Sequence, residues 1–235
     1  MNRTSFFRTP FPRRFLIRIH LDLFKIDHLA NPKEIMGGRP GYPYVPRSKG
    51  HDIKIMMSDN NPTNLTLLEK MVLVSEDRRF LRHNGVDLFS VIRESLKYVL
   101  RKRCGGASTI DMQFVRTATG YYERTLRRKI YEMFLSSIIQ YRYSKIKILR
   151  SYLRCAFFGT NIYGSEDASR KMFGKKSNEL TLDESAIVAS MLVYPRPKNP
   201  TDEWWAKVQN RSRYIMKLYP KIKHRFEKLP GWDAV

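Results

Sequence analysis

Beyond Pro62 the apolar residues recur every three to four positions to near the end of the chain, and that period confines the fold to packed helices. Thr66 with Glu69 and Thr181 with Glu184 have the spacing of capping boxes, in which each side chain bonds the other residue's backbone N–H. Leu67, Leu68, Met71 and Val72 form a stripe leading into Glu76. If that helix continues, Glu76, Phe80 and His83 share one side and Gly85 stops it. A second helix is predicted over 87–103, capped by Asp87, with Phe89, Ile92, Leu96 and Val99 inward and Arg93, Lys97 and Arg101 on another face. A third starts near Thr109. The helix over 124–143 has Ile130, Met133, Phe134, Ser137, Ile138 and Tyr141 on one face, with Leu135 and Ile139 opposite. Helices over 144–158, one ending at Phe173, 181–193 and 201–219 complete the pattern, with Trp204 and Trp205 as core anchors.

The first 63 residues read differently. Phe15, Ile17, Ile19, Leu21 and Leu23 alternate with Arg14, Arg18, His20 and Asp22, the period of a half-buried strand, although Leu16 breaks it. Ile53, Ile55 and Met57 suggest a second short strand after a loop at 37–46. The other reading of the first stretch is a basic amphipathic segment on a membrane face. The expected organisation is an N-terminal extension, 1–63, with short β-strands, followed by a helical domain, 64–235.

Charge narrows the partners. The 44 Lys and Arg residues against 22 Asp and Glu give +22, so an anionic nucleic acid, bilayer surface or phosphorylated substrate is implied. Cys104 and Cys155 are the two cysteines, and the five histidines are scattered, so no structural metal site is expected. No apolar run reaches the roughly 18 residues of a transmembrane helix, and no secretory signal is visible.

Within the helical part, Cys104 to Thr109 is a glycine turn that brings hydroxyls and amides to a helix start, followed by Gln113 and Arg116. Arg124, Arg127, Arg128 and Lys129 crowd the N-terminal turns of the next helix. The helix dipole favours anions there by about 0.3–1 kcal/mol per charge, so four cations make sense if an anionic ligand sits beside them. Glu132 projects from the Leu135 and Ile139 side, towards a cleft or a second lobe.

These segments resemble the peptidoglycan glycosyltransferase family, as found in monofunctional transglycosylases and at the front of bifunctional penicillin-binding proteins. Glu76, Asp77, Phe80, His83 and Gly85 match its first motif, GASTIDMQ (106–113) part of its second, and Arg128, Lys129 and Glu132 its third. YSKIKILRSYL, FFG, YGSEDASRKMFG and LTLDESA follow its pattern downstream. The resemblance implies a mainly α, lysozyme-like two-lobed helical fold, here with a small N-terminal β element. It implies polymerisation of lipid II into glycan strands with inversion and release of undecaprenyl pyrophosphate.

In that scheme Glu76 is the general base and Glu132 assists departure of the pyrophosphate. Arg93, Arg116, Arg124, Arg128 and Lys129 would hold phosphate. Ser108, Thr109 and Gln113 would shape the donor site, beside Asp77, Phe80 and His83 of the first motif. No cofactor is required, with a divalent cation, Mg or Mn, conceivable at the pyrophosphate. The implied partners are lipid II, the growing glycan, an anionic membrane surface and other cell-wall synthesis proteins, with no nucleic acid. The implied location is peripheral, at the outer (periplasmic) face of a bacterial cell membrane. Asp111, Met112, Arg116, Thr117, Tyr131 and Arg154 depart from the family's usual residues. The competing readings are a divergent, weakly active or inactive copy that binds lipid II or glycan, a lysozyme-like hydrolase, and a basic nucleic-acid-binding protein.

Overall fold

The computed structural model describes residues 11–30, 65–102, 106–123 and 125–226. Among them run nine α-helices: α1 (Phe11–Ala30), α2 (Leu67–Glu76), α3 (Leu88–Val99), α4 (Ile110–Thr119), α5 (Leu126–Arg142), α6 (Lys145–Cys155), α7 (Ser165–Phe173), α8 (Leu182–Ser190) and α9 (Asp202–Ile222). Between α6 and α7, β1 (Phe157–Gly159) pairs antiparallel with β2 (Ile162–Tyr163). The fold is mainly α, as expected, and consistent with a lysozyme-like transglycosylase fold.

The core is built around α2, which is buried from Leu68 to Ser75 and packs on α8 and α9. α4 is the second hub, against α1, α5 and α6. Met71, Leu73, Phe80, Phe114, Leu149, Val188 and Ile215 are fully buried, each contributing about 1.5–3 kcal/mol relative to exposure. Both capping boxes form: Thr66 Oγ1 accepts from Glu69 N at 3.2 Å while Thr66 N donates to the Glu69 carboxylate at 2.8 Å. Thr181 and Glu184 repeat the arrangement at 3.3 and 2.8 Å. Trp204 is buried and donates to Tyr194 O at 3.1 Å, with Trp205 edge-on beside it, as core anchors should.

Four expectations are corrected. First, residues 15–23 belong to α1 and not to a strand. Ile19, Asp22, Leu23, Ile26, Leu29 and Ala30 face inward at helical spacing, and packing on α4 and α6 decides between the two periods. The sheet lies at 157–163, and the expected second strand near Ile53 is outside the described residues.

Second, α2 ends at Glu76, with Asp77 as its C-cap. Residues 80–82 form a separate 3-10 turn and His83 is extended, so Glu76, Phe80 and His83 do not share a helix face. Gly85 is not a helix stop. At φ +85° it lets the chain cross α5 so closely that a Cβ would stand 2.2 Å from Ser136 O.

Third, α3 is capped as expected, Asp87 accepting from Ser90 N at 3.3 Å, but it ends at Val99 and its apolar stripe points outward. Phe89, Ile92, Leu96 and Val99 are 58–75% exposed. Fourth, α5 is not covered on both of its apolar sides: the Leu135 and Ile139 side, with Tyr131, Glu132 and Ser136, is buried, as expected. On the opposite apolar face Ile138 packs on the core, but Ile130, Phe134 and Tyr141 are exposed. In both helices apolar residues expected to be covered are left outside the chain's own core.

Candidate functional site

The end of α2 delivers Glu76 to the edge of a cleft of about 700 Å³. Ser75, Asp77, Arg79, Asp87, Arg93, Glu94, Lys97, Ser108, Thr109, Gln113, Arg211 and Tyr214 are among its lining residues. Both oxygens of Glu76 are oriented. Ser75 Oγ donates to Oε1 at 2.8 Å and Gln113 Nε2 to Oε2 at 3.1 Å. Gln113 is itself fixed, because Tyr152 OH donates to its Oε1 at 2.5 Å, which turns its amide nitrogen towards Glu76. Burial, and then the negative charge of Glu76, raises the Tyr152 pKa, so this phenol stays a donor. Arg211 of α9 donates to Ser75 O at 3.2 Å and Ser75 Oγ at 3.1 Å, and stands 3.9 Å from Glu76 Oε1.

One turn beyond Gln113 on α4, Arg116 lies 3.7 Å from Glu132 Oε1, and Arg128 donates to the same oxygen. Gln113 and Arg116 share a face of α4 at i and i+3, so that face touches Glu76 at one end and Glu132 at the other. Glu132 does not itself line the cleft; it is 1% exposed. The link at the rim is Lys129, which donates to Ser108 Oγ at 2.7 Å. Burial and then its cationic neighbours, Arg116 and Arg128, depress the Lys129 pKa against the opposing pull of Glu132.

The other expected site residues divide clearly. Asp77 lines the cleft but is occupied, accepting from His83 Nε2 at 3.0 Å and from Ile110 N at 3.1 Å, which fastens the end of α2 to the start of α4. Thr109 caps α4, accepting from Met112 N at 3.2 Å and donating to Gly85 O at 2.6 Å. Phe80 and His83 are buried beneath the cleft and do not line it. Arg93 lines it. Arg124 and Cys104 fall outside the described residues.

Sequence reasoning missed Arg211, Tyr152 and Glu94. Arg211 is 136 residues from Ser75 along the chain, and nothing local distinguishes it from its neighbour Arg213.

Below Phe80, four charged or titratable groups meet. Lys145 Nζ lies 3.2 Å from Asp111 Oδ2, 3.3 Å from His83 Nδ1 and 4.7 Å from the Phe80 ring centre. Gln140 donates to Asp111 Oδ1. Burial raises the Asp111 pKa, opposed first by Lys145. Asp77, His83 and Asp111 bring ligand-type atoms within 4.8 Å of one another, a set that could receive a metal ion, but the Lys145 ammonium already supplies the positive charge there. At Glu132 the donor set does not suit a divalent cation either. One carboxylate oxygen is taken by two arginines, where such an ion wants about six oxygen ligands.

The Transglycosylase family model matches residues 50–219. The chain belongs to the transglycosylase family. This transglycosylase domain is 39% identical over 151 residues to penicillin-binding protein 2a of Streptococcus pneumoniae, covering 64% of this chain and 20% of that one. It is 36% identical over 155 residues to penicillin-binding protein 1A of Rickettsia bellii, with 64% and 20% covered. Against penicillin-binding protein 1A of Rickettsia felis it is 34% identical over 187 residues, with 74% and 23% covered. The match thus spans about a fifth of each relative. The family is one of glycosyltransferases of bacterial peptidoglycan synthesis.

Proposed function

We propose that this transglycosylase domain polymerises lipid II into glycan strands by an inverting reaction that releases undecaprenyl pyrophosphate. The observation that carries the reading is Glu76 at the wall of a large cleft, its carboxylate aimed by Ser75 and Gln113. A carboxylate so held can take the proton of the acceptor sugar's 4-hydroxyl as that oxygen attacks the donor's anomeric carbon. The new C–O bond forms as the bond to the pyrophosphate oxygen breaks on the opposite face, and the proton on Glu76 later passes to water.

Charge gathers on the departing pyrophosphate, and fixed cations stabilise it most where little water competes. Arg116, Arg128 and Lys129 are such cations, with Glu132 as the buried anchor that holds the two arginines in place. Arg93 serves the same anion from α3, and Ser108 and Thr109 border the donor site. No step here needs a divalent ion.

Attachment to the membrane is part of the proposal. Among the described residues no helix is long and apolar enough to cross a membrane. Leu88, Phe89, Ile92, Leu96, Val99 and Leu100 of the α3 region, with Leu126, Ile130 and Phe134 of α5, are exposed. An apolar face on a chain of charge +22 suits peripheral binding to anionic lipid at the outer face of the bacterial membrane. The same face serves no purpose in a nucleic-acid-binding protein.

Incubating the purified chain with labelled lipid II in detergent and separating glycan polymer from monomer tests the reading. Polymer that a muramidase degrades is expected, and release of muropeptides from finished peptidoglycan instead would assign the cleft to a hydrolase. Glu132→Gln is expected to cut polymer yield severely.

A further inference from the structure

Two cations of α3 end on a single oxygen. Arg93 Nε and Lys97 Nζ each lie 2.9 Å from Oε1 of Glu94, and all three residues line the cleft. The Glu94 side chain is 8% exposed, whereas Arg93 and Lys97 are 43% and 37% exposed. The carboxylate therefore sits behind its partners, and the partners face the open cleft. Beside them Arg79 Nε stands 3.0 Å from Asp87 Oδ2, so Arg79, Arg93 and Lys97 are all held by carboxylates of the protein itself. Two cations converging on one oxygen is an arrangement that receives an anionic oxygen of a ligand. Here the chain fills it internally.

We infer that Glu94 is an internal competitor for the diphosphate group of the substrate, setting how tightly the α3 wall of the cleft holds that anion. The inference rests on the proposed lipid diphosphate substrate. A diphosphate that engages Arg93 and Lys97 draws them away from Glu94 and then meets the Glu94 charge behind them. Both effects loosen its hold, and a diphosphate that is also the leaving group must be let go in every cycle.

The test is calorimetric titration of the whole chain with inorganic pyrophosphate at low, fixed ionic strength. Glu94→Gln keeps the side chain's size and removes its charge. One charge lost roughly 6 Å from the ligand, at screening between that of protein and water, tightens binding by about threefold at the least. Glu203→Gln is the control, because it removes an equal charge from the exposed start of α9, where Glu203 pairs with Lys207 at 2.6 Å, and its affinity is expected to match the parent's. Lys97→Met is expected to weaken binding.

Unchanged or weaker binding in Glu94→Gln, equal tightening in Glu203→Gln, undiminished binding in Lys97→Met, or no measurable binding by the parent and Glu94→Gln alike would each overturn the inference. Failure of the substrate reading is told apart by the lipid II assay. A chain that makes no polymer yet tightens on pyrophosphate when Glu94 is neutralised keeps the role of Glu94 and loses the substrate. A chain that makes polymer but shows no such tightening does the reverse.

Discussion

Replacing Lys145 by Met removes the cation from the buried group beneath the cleft. Asp111 is fully buried, and the Lys145 ammonium is the charge that opposes its desolvation, 3.2 Å from Oδ2. Removing one partner of a buried ion pair costs about 3–5 kcal/mol, because the other charge is left without compensation. For a chain of this size that corresponds to a fall in Tm of roughly 6–20 °C, at about 2–4 °C per kcal/mol.

The effect has a definite pH dependence. Burial holds the folded-state pKa of Asp111 above its ordinary value of 3.8, so its ionisation opposes folding. Stability from this group is full below the unfolded value and is given up as pH rises through the folded one. Without Lys145 the folded value rises further and the loss extends to higher pH. Urea unfolding of both proteins between pH 5 and 8 should show the gap widening as pH rises, and Asp111→Asn in the Lys145→Met background should close most of it. Equal stability at pH 8, or no rescue by Asp111→Asn, would refute the reasoning.

Gly85→Ala should destabilise the fold by more than about 2 kcal/mol, since a left-handed φ alone costs an L-residue about 1–2 kcal/mol and the new Cβ meets Ser136 O. A thermal melt within 2 °C of the parent would contradict this, on about 2–4 °C per kcal/mol. Arg211→Met should lower lipid II turnover by about 10- to 100-fold with an unchanged melt, because Ser75 and Glu76 lose their common support and small misplacements of a catalytic group are costly. Parental turnover would make Arg211 a bystander. Ile92→Glu should weaken cosedimentation with anionic vesicles by about tenfold or more, as burying such a side chain is worth about 1.5–3 kcal/mol, while polymerisation in detergent is kept. Undiminished sedimentation would remove α3 from the membrane-facing surface.

How much of this was legible in the sequence depended on whether the cause of a feature was local. Capping boxes at Thr66 and Thr181 involve residues three apart, and both formed as read. The α1 stretch satisfied two periods at once, with Leu16 as the one sign against a strand, and contacts with distant helices settled it. The outward stripe of α3 was visible as a stripe, but its period does not say which way the stripe faces. Ordered motifs singled out Glu76 and Glu132 as the proposed acids. What orients Glu76 was not legible: Arg211 and Tyr152 reach the site from helices far along the chain, and polar side chains on a helix give no hint of which one will be turned inward. Phe80 and His83 show the converse, since motif membership marked them as contacts with substrate and the fold uses them beneath the floor.

The proton transfer assigned to Glu76 can be isolated by comparing Glu76→Gln with the parent in two measurements on one sample of lipid II, affinity and single-turnover polymerisation. Loss of polymer by at least about 100-fold with affinity kept within a few-fold is expected, as general-base catalysis contributes roughly 10²–10⁴. Polymer formed at the parental rate would take the base out of the cleft and the mechanism with it.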